Sequence, residues 1–120
     1  MVLKDIQKDV HDWTSQFKVQ YWQPHEILAR LTEETGELAR EINHRWGPKT
    51  KKLTESKEEL AEEIADIFFT LCCLANSQNI DLDKAWQAMM KKYEQRDNKR
   101  FEKEPTTNHS TLKSTQILKK

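Results

Sequence analysis

Glu33, Glu34 and Glu37 form one acidic group and Glu62, Glu63 and Asp66 another, each running into a strongly apolar stretch of a 120-residue chain. Residues three apart on a helix share a face, so Glu34 with Glu37, and Glu63 with Asp66, can each aim two carboxylates at one point. Brought together, the two pairs concentrate about four negative charges, which is costly unless cations neutralise them. Oxygen-only ligation of this kind indicates a hard cation, Mg2+ or alternatively Mn2+, which keeps waters and commonly binds with a substrate's phosphates. Glu34, Glu37, Glu63 and Asp66 are the candidate metal ligands.

Other metals fit the sequence less well. His11, His25, His44 and His109 are scattered, which argues against zinc. Glu41-x-x-His44 resembles the pattern of di-iron bundles, but those need a second copy, and the sequence has none. In a chain that is 33% charged, most acids are ordinary solvated helix positions, and Glu26, Glu41, Glu55 and Glu58 are assigned to that class. Asp66 is not, because Asp is a poor helix former placed in the most apolar segment.

Four helices are expected to position these groups. Ile6, Val10, Trp13 and Phe17 recur at helical spacing, predicting a first helix over Leu3 to Phe17. Pro24 suits a first helical position, and Ile27, Leu28, Leu31, Leu38 and Ile42 mark one face of a second helix that Gly47-Pro48 stops. Ser56-Lys57-Glu58-Glu59 reads as a capping box opening a third helix to about Ser77. Asp81 or Asp83 caps a fourth, continuing to about Phe101. Wound at about 100° per residue, Glu34 and Glu37 lie on the same flank of their apolar stripe as Glu63 and Asp66 do of theirs. Antiparallel packing through the stripes would make the pairs converge. Gly36, within the first acidic group, disfavours helix and suggests close approach by a neighbouring helix or ligand.

The fold class expected is all-α, a four-helix bundle over residues 1–101 with a flexible tail over 102–120, where Thr, Ser and Asn dominate. Ile64 to Ala75 is apolar almost all round, which implies burial on more than one side and a homo-oligomer, dimer or tetramer, sharing this helix. Charge is uneven although the net value is zero: Glu55 to Asp66 carries −5 and Lys84 to Lys120 carries +6. That asymmetry suits a phosphorylated ligand held by metal on one side and cations on the other, and does not suit a general nucleic-acid binder. Adjacent Cys72 and Cys73 cannot easily pair with each other and read as small core residues in a reducing cytoplasm. No apolar stretch is long enough to span a membrane.

The sequence resembles the MazG-like branch of the all-α nucleoside triphosphate pyrophosphohydrolases. Glu33-Glu34-Thr35-Gly36-Glu37, then 25 residues, then Glu63-Ile64-Ala65-Asp66 follows the family signature, and Lys92-Tyr93-Glu94-Gln95-Arg96 is similar to its Lys-x-x-x-Arg on the last helix. Tyr21-Trp22-x-Pro24 ahead of the first motif is closest to the short bacterial members. The resemblance spans about Tyr21 to Phe101. It implies Mg2+-dependent hydrolysis of a nucleoside triphosphate to the monophosphate and pyrophosphate, with nucleotide-pool housecleaning as the role. Under it, Glu34, Glu37, Glu63 and Asp66 ligate the metal, Glu33 ligates or orients the attacking water, and Lys92 and Arg96 hold the β- and γ-phosphates. The loop cations Lys49, Lys51 and Lys52 can assist.

A nucleobase needs a flat apolar surface, for which Trp13, Phe17, Tyr21, Trp22 and Leu31 are the candidates. Two other classes fit the same acids: a helical interaction module without activity, and a metal-dependent phosphohydrolase that releases phosphate.

Overall fold

A computed structural model describes residues 2–48 and 58–105. Among these there are four helices and no strand: α1 (Leu3–Thr14), α2 (Pro24–Trp46), α3 (Glu58–Ser77) and α4 (Leu82–Asp97). The capping box at Ser56 and Lys57, the loop cations Lys49, Lys51 and Lys52, and the tail beyond Pro105 lie outside the described residues. The chain divides into two compact units, Met1–Trp86 and Gln87–Lys120.

α1 stops at Thr14, a turn short of the Phe17 predicted by apolar spacing. The reason is local. Ser15 Oγ donates to the Asp12 carbonyl, Gln16 Nε2 to that of Trp13 and the Phe17 N–H to that of Thr14, so the carbonyls that a further helical turn would have used are taken. α2 opens as expected at Pro24, and Glu26 turns back so that the Gln23 N–H donates to its Oε1 at 3.1 Å. Glu26 is thus a capping group and not an idle surface acid. At the other end the Gly47 N–H donates to the Asn43 carbonyl, and a Cβ on Gly47 would lie 2.5 Å from that oxygen. Only glycine fits such an approach.

α3 ends in a left-handed residue, Asn79 at φ 55°, with the Ile80 N–H donating to the Ala75 carbonyl at 2.8 Å. Asn tolerates that conformation better than most residues. Asp81 then caps α4, accepting the Asp83 and Lys84 N–H groups. Gln7 clasps this turn to α1. Its Nε2 donates to Asn76 Oδ1 and the Ile80 carbonyl, and its Oε1 accepts the Leu82 N–H.

α3 packs against both α2 and α1 in the first unit. Ile27 and Arg30 share a cavity wall with Thr70 and Cys73, whereas Glu37 shares one with Glu63. Numbers rise along α2 as they fall along α3, so the two helices run antiparallel. The apolar interior is small: Val10, Ile27, Cys72 and Ala75 are buried, while Trp13, Phe68 and Trp86 remain largely exposed. In the second unit α4 ends at Asp97, four residues before the predicted limit. There the Arg100 N–H closes a tight turn onto the Asp97 carbonyl, and the Asp97 carboxylate takes Arg96 and Arg100. None of the described helices is long and apolar enough to cross a membrane.

Candidate active site

The antiparallel pairing of α2 and α3 carries three of the predicted carboxylates to one place. Glu34, Glu37 and Glu63 each offer an oxygen, and these oxygens lie within 4.8 Å of one another. Glu34 is buried at 4% exposure. Its Oε1 accepts a 2.7 Å hydrogen bond from Arg30 Nε, but its Oε2, like Oε2 of Glu63, is closed off from solvent with no donor among the described residues. Desolvation raises the Glu63 pKa above the ordinary carboxylate value, and the Glu37 carboxyl, hydrogen-bonded to it, raises it further, with smaller effects from Asp66 and Glu34. Negative charge is thus crowded at Glu63 by its neighbours, on ground suited to a cation.

Asp66 is half-buried one turn along α3 from Glu63 and acts on both Glu63 and Arg30 through its charge. It lies outside the close triple. Glu33 is exposed beside Arg30. These residues fit a hard divalent cation: three converging carboxylates, two with buried oxygens to which no described residue donates, are a donor set of the kind such an ion needs. Gly36 is not approached by a described helix, since no described residue lies within 4 Å of where its Cβ would be.

Beside the acids opens a cavity of about 450 Å3 with predominantly apolar walls. Four of the candidates for a base surface, Trp13, Phe17, Tyr21 and Trp22, line it. Trp13 stands edge-on to Phe17 at 5.0 Å and to Phe69 at 5.9 Å between ring centroids. Leu31 does not line the cavity; Ile27, one turn earlier on α2, supplies that wall instead. Tyr21 is fixed by Asn76 Nδ2, which donates to its hydroxyl at 3.1 Å, and by His11 Nδ1 on the same oxygen. Cys73 forms part of the cavity wall and is not a sealed core residue; its thiol is pushed up to about 11, chiefly by desolvation.

Two residues were missed from the sequence. Arg30 is the only charged side chain lining the cavity among the described residues, and its signal was the four-residue spacing to Glu34. Glu41, assigned to a solvated face, is buried and paired with Arg45 at 3.0 Å, again at that spacing. It borders a polar cavity of about 360 Å3 shared with Glu37, Arg40, His44 and Glu63. Lys92 and Arg96 lie in the second unit, exposed and one turn apart on α4. Arg96 is held by Asp97 at 2.7 Å, and its guanidinium sits 5.1 Å from the Tyr93 ring centroid.

Known proteins resemble this chain in sequence and in fold. Residues 22–101 match the family described as the MazG nucleotide pyrophosphohydrolase domain. The chain is 50% identical over 99 residues to YpjD of Bacillus subtilis, a protein of uncharacterised function, covering 82% of this chain and 89% of that one. The crystal structure of Bacillus subtilis YpjD, described as a candidate pyrophosphatase, superimposes with a TM-score of 0.73 over 78% of this chain and 95% of its own, at 50% identity. A Bacillus-conserved MazG protein, described as a nucleotide pyrophosphohydrolase, does so at 0.71 over 83% and 97%, at 43% identity.

Proposed function

Because the chain belongs to the MazG nucleotide pyrophosphohydrolase family, we propose that it hydrolyses nucleoside triphosphates to monophosphate and pyrophosphate with Mg2+. The observation that carries this reading is the adjacency of a converged carboxylate triple to an aromatic cavity, which suits a ligand with one polyanionic end and one flat apolar end. Trp13, Phe17 and Trp22 offer faces for the base. Glu34, Glu37 and Glu63, joined by Asp66, would hold the cation. When bound, that ion neutralises the polyphosphate and lowers the pKa of a bound water. Glu33, outside the triple, is left to orient the attacking water, and Lys92 and Arg96 are assigned to the distal phosphates.

The protein is further proposed to self-associate. Ile6 and Val10 of α1 with Ala61, Ile64, Ala65, Phe68 and Phe69 of α3 line an apolar groove, and Phe68 is 53% exposed. A second copy would cover it and enlarge a small core. Both cysteines are free, in keeping with a reducing cytoplasm.

The decisive experiment presents the purified protein with a panel of canonical, oxidised and methylated nucleoside triphosphates and Mg2+. Pyrophosphate as product supports the reading. Inorganic phosphate as the primary product would replace it with the other phosphohydrolase chemistry, and absence of turnover on every nucleotide would point to a non-catalytic module.

A further inference from the structure

Resting on the nucleotide reading above, we infer that Arg30 is a substrate-binding residue whose guanidinium engages the α-phosphate, at the junction between the nucleoside and the departing pyrophosphate. Two observations meet at this side chain. Arg30 lines the aromatic cavity, and its Nε bonds Glu34 at 2.7 Å. A nucleotide with its base among Trp13, Phe17 and Trp22 and its polyphosphate at Glu34, Glu37 and Glu63 must pass Arg30. The part of the nucleotide that connects base to polyphosphate is the sugar and α-phosphate.

An Arg–Glu pair four residues apart is often only a surface ion pair worth about 0.3–0.5 kcal/mol. Here the partners are unequal: the Glu34 side chain is 5% exposed and that of Arg30 46%. A buried carboxylate needs its partner, so Arg30 is held in place from below. Glu34 occupies one of the five guanidinium N–H donors, and the others make no hydrogen bond to a described residue. The charges of Glu34, Asp66 and Glu33 all act to retain the cation there. A planar fork anchored on one edge and open on the other suits bidentate recognition of phosphate, which a lysine would not reproduce.

The test compares each of the four deoxynucleoside monophosphates with its nucleoside, binding to the full chain in Mg2+ by calorimetry. Wild type, Arg30→Gln and Arg30→Lys are each measured, and Mg2+ is titrated alone against all three. In wild type the monophosphate should bind more tightly than its nucleoside. Arg30→Gln should lower that preference at least tenfold while nucleoside affinity holds and Mg2+ affinity is equal or higher, because a positive charge beside the acids has gone. Arg30→Lys should restore only part of the preference.

Equal losses for nucleoside and monophosphate would make Arg30 a structural support of the cavity and overturn the inference. Weakened Mg2+ binding in proportion to the loss would overturn it as well, making Arg30 a positioner of Glu34. An unchanged preference in both variants, with wild type still releasing pyrophosphate, would sink this assignment alone. Wild type that neither binds a monophosphate nor releases pyrophosphate would remove the nucleotide reading itself.

Discussion

Glu63 makes the crowding of the acids measurable. Its raised pKa means that the folded chain holds a proton that the unfolded chain releases, so between the ordinary carboxylate value and the raised one the folded form binds more protons. The associated stability is therefore present on the acid side and lost as pH rises through the raised value. In chelator, the melting temperature of the wild-type protein should fall above about pH 4.5, and Glu63→Gln, scanned over the same range, should lack that component of the decline. An identical pH profile in the two proteins would mean that the acids do not strain the metal-free fold. Gly36 offers a second residue-scale test, because open space where its Cβ would lie removes the expected packing reason for a glycine. Gly36→Ala should stabilise α2 by up to about 1 kcal/mol in thermal unfolding. If turnover falls while stability rises, the glycine serves the approach of substrate.

At the scale of elements, the boundaries that backbone chemistry dictates were legible. Pro24 and Gly47-Pro48 bracket α2, and Asp81 starts α4. Helical winding also put Glu34 and Glu37 on one flank of α2 and Glu63 and Asp66 on the corresponding flank of α3, and Glu34, Glu37 and Glu63 do converge. What side chains do to their own carbonyls was not legible, hence the early end of α1 at Thr14. Nor was anything that depends on which residue of one helix meets which residue of another: the burial of Glu41, the cavity position of Cys73, and the replacement of Leu31 by Ile27. α4 carries the phosphate-clamp proposal, in which Arg96 is already oriented by Asp97. Arg96→Ala should lower pyrophosphate release at least tenfold, about 1.4 kcal/mol of transition-state stabilisation, with Mg2+ binding to the nucleotide-free protein unchanged. Lys84→Ala should have little effect. Equal rates for the two variants would reduce the Lys92–Arg96 pair to solvated charges.

For the whole molecule, the imbalance between a small buried interior and extensive exposed apolar surface is the dominant feature. Phe68 lies in the groove between α1 and α3. Phe68→Asp should shift the protein toward monomer in light scattering at micromolar concentration, and lower its melting temperature in a concentration-dependent way. A wild-type protein that is strictly monomeric under those conditions would contradict self-association.

The Gln7 clasp also sets an order of events in time. It joins residues 75 positions apart at Leu82 and 69 apart at Asn76, so it closes a long loop that only the packed helices make short. Interactions of this separation are expected to form after the rate-limiting step, and removing them should speed unfolding with little effect on refolding. Gln7→Leu should therefore steepen loss of the native state in stopped-flow unfolding while the refolding rate in dilute denaturant changes less than twofold. Equal slowing of refolding would put the clasp in the nucleus. Asn76 ties the same clasp to Tyr21 on the cavity wall, so the ligand cavity should acquire its shape last, and a newly made chain should become competent to bind only at the final stage of folding.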